Sequence, residues 1–196
     1  VNSLEELSEG ILAVLAKENI DKVHIVGSSL GGYLTQYIAV NHPEKVLNIS
    51  LGNTFPQNDI IKAKNGKLST LLAYVPEWFV IKNFRKKYNE EVIPAANNSP
   101  IADAFLNELL GKAVNKKVLL ARYKCFIDGF QPKISSKIPI QIIESDNDPL
   151  VEKQLREMLK TTYPTASVVT LHNERHFPYL SNAVQYNSII EEFLNQ

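Results

Sequence analysis

Apolar residues recur at helical spacing at the start of the chain. Leu4, Leu7, Ile11, Val14 and Leu15, with Ser3 followed by Glu6 as a capping box at their start, predict an amphipathic helix reaching Asn19. The β-branched run Val23-His24-Ile25-Val26 predicts a strand, Leu30 to about Asn41 a helix that stops before Pro43, and Val46 to Leu51 a second strand. Helix, strand, helix, strand in this order implies parallel pairing with right-handed crossovers. The rhythm then changes from Thr54 to Lys137, where helical signals replace strand signals: Pro76 to Tyr88, a Ser99-Pro100 cap before Ile101 to Leu110, and Asn115 to Asp128 ending at Gly129. Strands are predicted again at Pro139 to Ile143 and Ser167 to Leu171. Helices are predicted from Leu150 to Lys160 and from about Asn182 to Phe193. The pattern describes an α/β core in two parts, residues 1–53 and 138–196, divided by a helical insertion at 54–137.

Composition narrows the function classes. The 196 residues are 44% hydrophobic, enough for one packed core, and carry 21 basic and 21 acidic side chains. With a net charge of zero, no global field directs the chain to nucleic acid or an anionic membrane, so a small-molecule substrate fits better. The basic run Lys82-Asn83-Phe84-Arg85-Lys86-Lys87 reads as the solvated face of a helix. No apolar run reaches membrane-span length, and the start lacks signal-peptide order. A lone cysteine, Cys125, forms no disulfide within the chain and suits a reducing compartment. Together these features predict a cytoplasmic protein without stable membrane insertion.

Candidate chemistry begins where the first strand meets the second helix. Gly27-Ser28-Ser29-Leu30-Gly31 matches G-x-S-x-G in the strand-to-helix context of a nucleophile elbow, with a further Gly32 behind it. A chain of this length matches the pattern by chance about one time in twenty at ordinary glycine usage of about 7%. The flanking elements therefore carry the reading. A turn this sharp strains the central residue and requires neighbours two positions away to lack bulk, a demand assigned here to Gly27 and Gly31. Ser29 would stand above the sheet edge, where the N-terminus of the following helix favours a developing anion.

A serine hydroxyl needs a base, and the base an orienting carboxylate. In parallel sheets such groups gather at the carboxyl ends of strands. Three strand ends supply them in the order Ser29, Asp148, His176. Asp146 and Glu144 are rivals for the acid, the first early in its loop and the second on the strand. His172 and His176 sit at i and i+4 without a helix to hold them on one face, so no zinc site is assigned.

In this order the residues resemble the α/β-hydrolase family from first helix to last. Gly31-Gly32 resembles the end of that family's elbow, Asp148-Pro149-Leu150-Val151 its acid loop, and His176-Phe177-Pro178 the neighbourhood of its histidine. The insertion's length and Phe177-Pro178-Tyr179-Leu180 resemble the maspardin-like branch. The resemblance implies a cofactor-free serine hydrolase acting on an ester or related acyl bond of an apolar small molecule, with no metal. Its oxyanion donor would be the Leu30 N–H and its cap residues 54–137. The cap aromatics Trp78, Phe79 and Phe84, with Tyr74 and Phe105, would line the substrate pocket. A non-catalytic binding protein that keeps the fold and uses the cap as a partner surface is the alternative.

One expected part is missing. The family draws a second oxyanion donor from a Gly-rich loop after an early strand, and it places several strands before the elbow strand. Here the elbow strand comes first, and a Val-rich parallel strand left as an open edge is an aggregation hazard. The chain is therefore expected to be a fragment lacking its N-terminal strands.

Overall fold

A computed structural model describes residues 3–57, 59–111 and 114–195. It opens with α1 (Leu4–Lys17), β1 (Val23–Ser28), α2 (Leu30–Asn41) and β2 (Val46–Gly52). The helical stretch follows as α3 (Asp59–Tyr74), α4 (Glu77–Lys87), a π turn at Tyr88–Val92, α5 (Ile93–Ala95), α6 (Pro100–Gly111) and α7 (Lys116–Ile127). The remainder is β3 (Ile140–Ser145), α8 (Lys153–Thr162), β4 (Ser167–Leu171), α9 (Pro178–Ser181) and α10 (Ala183–Leu194). Ser3 caps α1 as expected, its hydroxyl accepting from Glu6 N at 3.1 Å.

Among the described residues the sheet has four strands, all parallel, in the order β1-β2-β3-β4. Alternation along the strands sends successive side chains to opposite faces. Ile49 and Leu51 of β2 and Ile142 of β3 pack against Ile38 and Ala39 of α2 and Leu159 of α8. Ile143 and Leu171 meet Tyr186 of α10 on the other face. Leu4 of α1, Tyr33 of α2 and Cys125 of α7 form a second cluster with Val151 and Leu155, tying the helical stretch to the core. Within these described residues β1 pairs with β2 alone and lies at the sheet edge.

Three local differences from the sequence pattern have physical causes. Helix α3 went unpredicted because its sequence, broken by Asn65 and Gly66, lacks a continuous apolar stripe; it packs on α7. Helix α8 starts at Lys153 rather than Leu150 because the amides of Leu150 and Val151 donate to Asp148 Oδ1, at 2.8 and 3.1 Å. Pro178 opens the short α9, whose missing N–H is not needed in a first turn.

Candidate active site

Ser29 occupies the turn between β1 and α2 with φ 54° and ψ −122°. A residue with a Cβ in this region carries about 1–3 kcal/mol of backbone strain, which surrounding bonds must hold. They are present: Ser29 N donates to Gly52 O at 3.0 Å, and its carbonyl accepts from Tyr33 N at 3.1 Å and Thr54 Oγ1 at 2.6 Å. Leu30 begins α2, so its amide is among the N-terminal donors that have no carbonyl partner within their own helix.

The glycines divide the steric demand differently from the expectation. A Cβ on Gly27 would collide with Thr35 Oγ1 and come within 2.5 Å of the Gly31 carbonyl oxygen, so bulk is excluded there. At Gly31 a Cβ would meet nothing within 4 Å, whereas at Gly32 it would lie 2.7 Å from Thr54 Cβ. The close approach falls on Gly27 and Gly32, because it is Gly32 that passes the Thr54 side chain holding the elbow carbonyl.

At the far ends of β3 and β4 the acid and imidazole meet. His176 Nδ1 lies 2.8 Å from Asp148 Oδ2 and 3.0 Å from Oδ1, with side-chain exposures of 2% and 0%. A carboxylate accepts, so Nδ1 carries the proton and Nε2 is left as the basic nitrogen. The rival acid, Asp146, takes a different histidine: its Oδ2 is 2.7 Å from His172 Nδ1 and its Oδ1 accepts from Asn173 N at 3.0 Å. The Asn173 amide first, and then His172, hold the Asp146 carboxyl below its ordinary value.

Asn53, at the end of β2, is the residue that sequence reasoning missed. It is buried with φ 37°, and its Oδ1 accepts from Ser145 N at 2.7 Å. Its Nδ2 donates to Arg175 O at 2.8 Å and His176 O at 3.0 Å, and contacts Ser145 Oγ at 3.2 Å. The amide orientation is fixed by chemistry, since a backbone N–H can only donate and a carbonyl only accept. One side chain thus joins the acid strand to the backbone of the histidine. The available signal was the polar triplet Gly52-Asn53-Thr54 closing an apolar strand.

Further supports surround it. Arg156, itself buried, donates to the carbonyls of Ser145 and Asp146, the latter at 3.0 Å. From the helical stretch, Ala95 O accepts from His176 N at 2.9 Å, Pro94 O from Arg175 Nη1 at 3.0 Å, and Asn97 Nδ2 donates to Asn173 O at 3.3 Å.

Ser29, Leu30 and His176 open on a cavity of about 860 Å³, whose apolar wall includes Leu34, Phe55, Ile61, Phe126 and Leu155. Phe84 is part of this lining; Trp78 and Phe79 are not. On α4 Phe84 shares a face with buried Val80 and Tyr88, four residues to either side, while Trp78 and Phe79 project outward with their ring centroids 5.7 Å apart. Tyr74 is also outside the lining, and the Phe105 side chain lies outside the described residues. Among the described residues there is no cluster of His, Cys, Asp and Glu suited to a metal ion.

No protein-family model matches the sequence. The chain is 26% identical to maspardin of Danio rerio over 98% of its own length and 62% of that protein's. It is 25% identical to the 2-hydroxy-6-oxononadienedioate/2-hydroxy-6-oxononatrienedioate hydrolase of Burkholderia vietnamiensis over 99% of this chain and 70% of the other. A crystal structure of a hydrolase from Pseudomonas aeruginosa superposes with a TM-score of 0.77 at 18% identity, covering all of this chain and 73% of that one. The chain spans about 62% of the length of the maspardin it matches. The superposed hydrolase agrees with the parallel sheet and its flanking helices, so the chain has the α/β-hydrolase fold, and its sequence relatives make it similar to members of the α/β-hydrolase superfamily.

Proposed function

We propose that this chain forms the catalytic core of a serine hydrolase that cleaves an ester or related acyl bond, with residues 54–137 as its cap and a closer kinship to the maspardin-like branch. The observation that carries the reading is the buried His176 Nδ1–Asp148 contact, opening on the same cavity as a serine held at positive φ. Ser29 Oγ attacks the acyl carbon and His176 Nε2 takes the hydroxyl proton, while Asp148 keeps the Nδ1 proton and orients the ring. The carbonyl electron pair moves to oxygen, and the Leu30 N–H stabilises that oxyanion. As the tetrahedral adduct collapses, His176 returns the proton to the leaving alkoxide, and an acyl-Ser29 intermediate remains. Water repeats the sequence, giving its proton to His176 and releasing the acid. The apolar wall with Phe84 favours an apolar acyl group.

A fluorophosphonate, which phosphonylates an activated serine, separates this reading from a non-catalytic binding role. Covalent labelling of the folded chain that disappears in Ser29→Ala supports it. A folded chain that takes up no label sinks it.

A further inference from the structure

The net charge of zero conceals a separation. Residues 54–137 hold fourteen of the 21 basic side chains and seven of the 21 acidic ones, a formal +7, leaving −7 for the rest of the chain. The balanced total suggests no field towards a membrane surface; the distribution departs from that for residues 54–137.

The same segment carries an aromatic corner. Tyr74 at the end of α3 is 86% exposed and Trp78 at the start of α4 is 68% exposed, with Leu71 and Phe79 also exposed beside them in the chain. Scattered apolar side chains on a surface need no explanation, but Tyr and Trp rings gathered at one turn match the composition of membrane–water interfaces. The corner is braced: Lys116 Nζ donates to Ala73 O at 2.6 Å and Val75 O at 2.7 Å, and Lys116 N to Glu77 Oε1 at 3.4 Å. Helix α4 continues the surface. Trp78, Lys82 and Lys86, spaced by four, form an exposed row on the side away from Val80, Phe84 and Tyr88. Lys86 faces Glu90 at 3.9 Å, but both are well exposed, and a pair of that kind holds its charges weakly against a competing anion.

We propose that the α3–α4 corner docks peripherally on an anionic lipid surface. Tyr74 and Trp78 lie at headgroup level, and Lys82 and Lys86 meet the lipid phosphates and carboxylates. The −7 remainder, repelled by the same surface, orients the molecule with this face inward. The exposed rings and Leu71 at the tip favour lipid over nucleic acid or the acidic face of a second copy, neither of which needs an apolar wedge there. The contact is peripheral, since no described helix is long and apolar enough to cross a membrane. The inference does not depend on catalysis.

Trp78 is the only tryptophan in the chain, so its emission reports on this corner directly. The full chain is titrated with vesicles of phosphatidylcholine, with and without phosphatidylserine, at low and high salt. Emission should shift to the blue, and the protein should co-sediment, with the anionic vesicles at low salt only. Each lysine neutralised should weaken binding about fivefold, so Lys82→Glu with Lys86→Glu should weaken it about 25-fold or more. Lys22→Glu with Lys153→Glu changes the net charge equally on the other part of the chain and should leave binding nearly unchanged. The proposal is overturned by the absence of shift and sedimentation, or by equal loss in both double variants. A blue shift that grows with protein concentration without vesicles, or that single-stranded RNA produces better than lipid, overturns it too.

Discussion

The amide of Asn53 offers the sharpest test of how the imidazole is held. Asn53→Ala strips a buried site of its partner for one N–H and two carbonyls. Unsatisfied buried groups cost about 1–3 kcal/mol each, so urea unfolding should show a loss of at least about 3 kcal/mol. Asn53→Asp is more informative because shape and the acceptor for Ser145 N survive. Two N–H donors are replaced by an oxygen lying 2.8 and 3.0 Å from the carbonyl oxygens of Arg175 and His176. Repulsion there drives the His176 backbone away from the sheet, and a shift of about 1 Å in a catalytic group costs on the order of 10² in rate. The assay is the fluorophosphonate labelling rate of Ser29 per folded molecule, with kcat and KM on a chromogenic ester. The rate and kcat should fall while KM holds, since Asn53 is not part of the cavity wall. Gln141→Leu supplies the comparison: that buried amide accepts from Ser50 Oγ of β2 and donates to Ile189 O of α10, so its loss should cost stability without slowing labelling. If the Asn53 variants label as fast as Gln141→Leu, the positioning argument is refuted.

Two further outcomes follow from the geometry. Gly32→Ala should destabilise the chain by about 1–3 kcal/mol, because its methyl overpacks against Thr54. Gly31→Ala meets open space and should gain up to about 1 kcal/mol in helix propensity; urea unfolding of both variants checks the contrast. The lowered pKa of Asp146 means that its ionised form contributes stability above the ordinary value of 3.8, a contribution lost as pH falls through the lowered one. Thermal unfolding of Asp146→Asn should therefore decline less steeply with acid than that of the wild type over that window.

Periodicity made the elements legible where burial has a regular pattern. The bounds of α2 and the ends of the strands fell close to the apolar alternation, since these residues pack one face onto the core. Helix α3 was illegible because its place is set by α7 rather than by a stripe of its own. Ser29, Asp148 and His176 could be named from residue type, strand ends and order, and the structure brings Asp148 and His176 into contact. Residue type says nothing of which way a helix is turned, so Phe84 was not distinguished from Trp78 and Phe79. Asn53 was passed over because an amide looks inert until its four partners, from positions far apart in sequence, converge on it. A net charge summed over the chain likewise erased a separation that a count over residues 54–137 alone exposes.

The bonds from His176 N to Ala95 O and from Arg175 Nη1 to Pro94 O act as a hinge pin between the histidine loop and the helical stretch. Any movement that lifts residues 93–97 draws the imidazole out of line along with them. On the proposed hydrolase reading, a route for substrate that keeps the base seated would leave residues 93–97 in place. Admission and release would then proceed past a stationary histidine, and the chemistry would not have to be reassembled at each turnover.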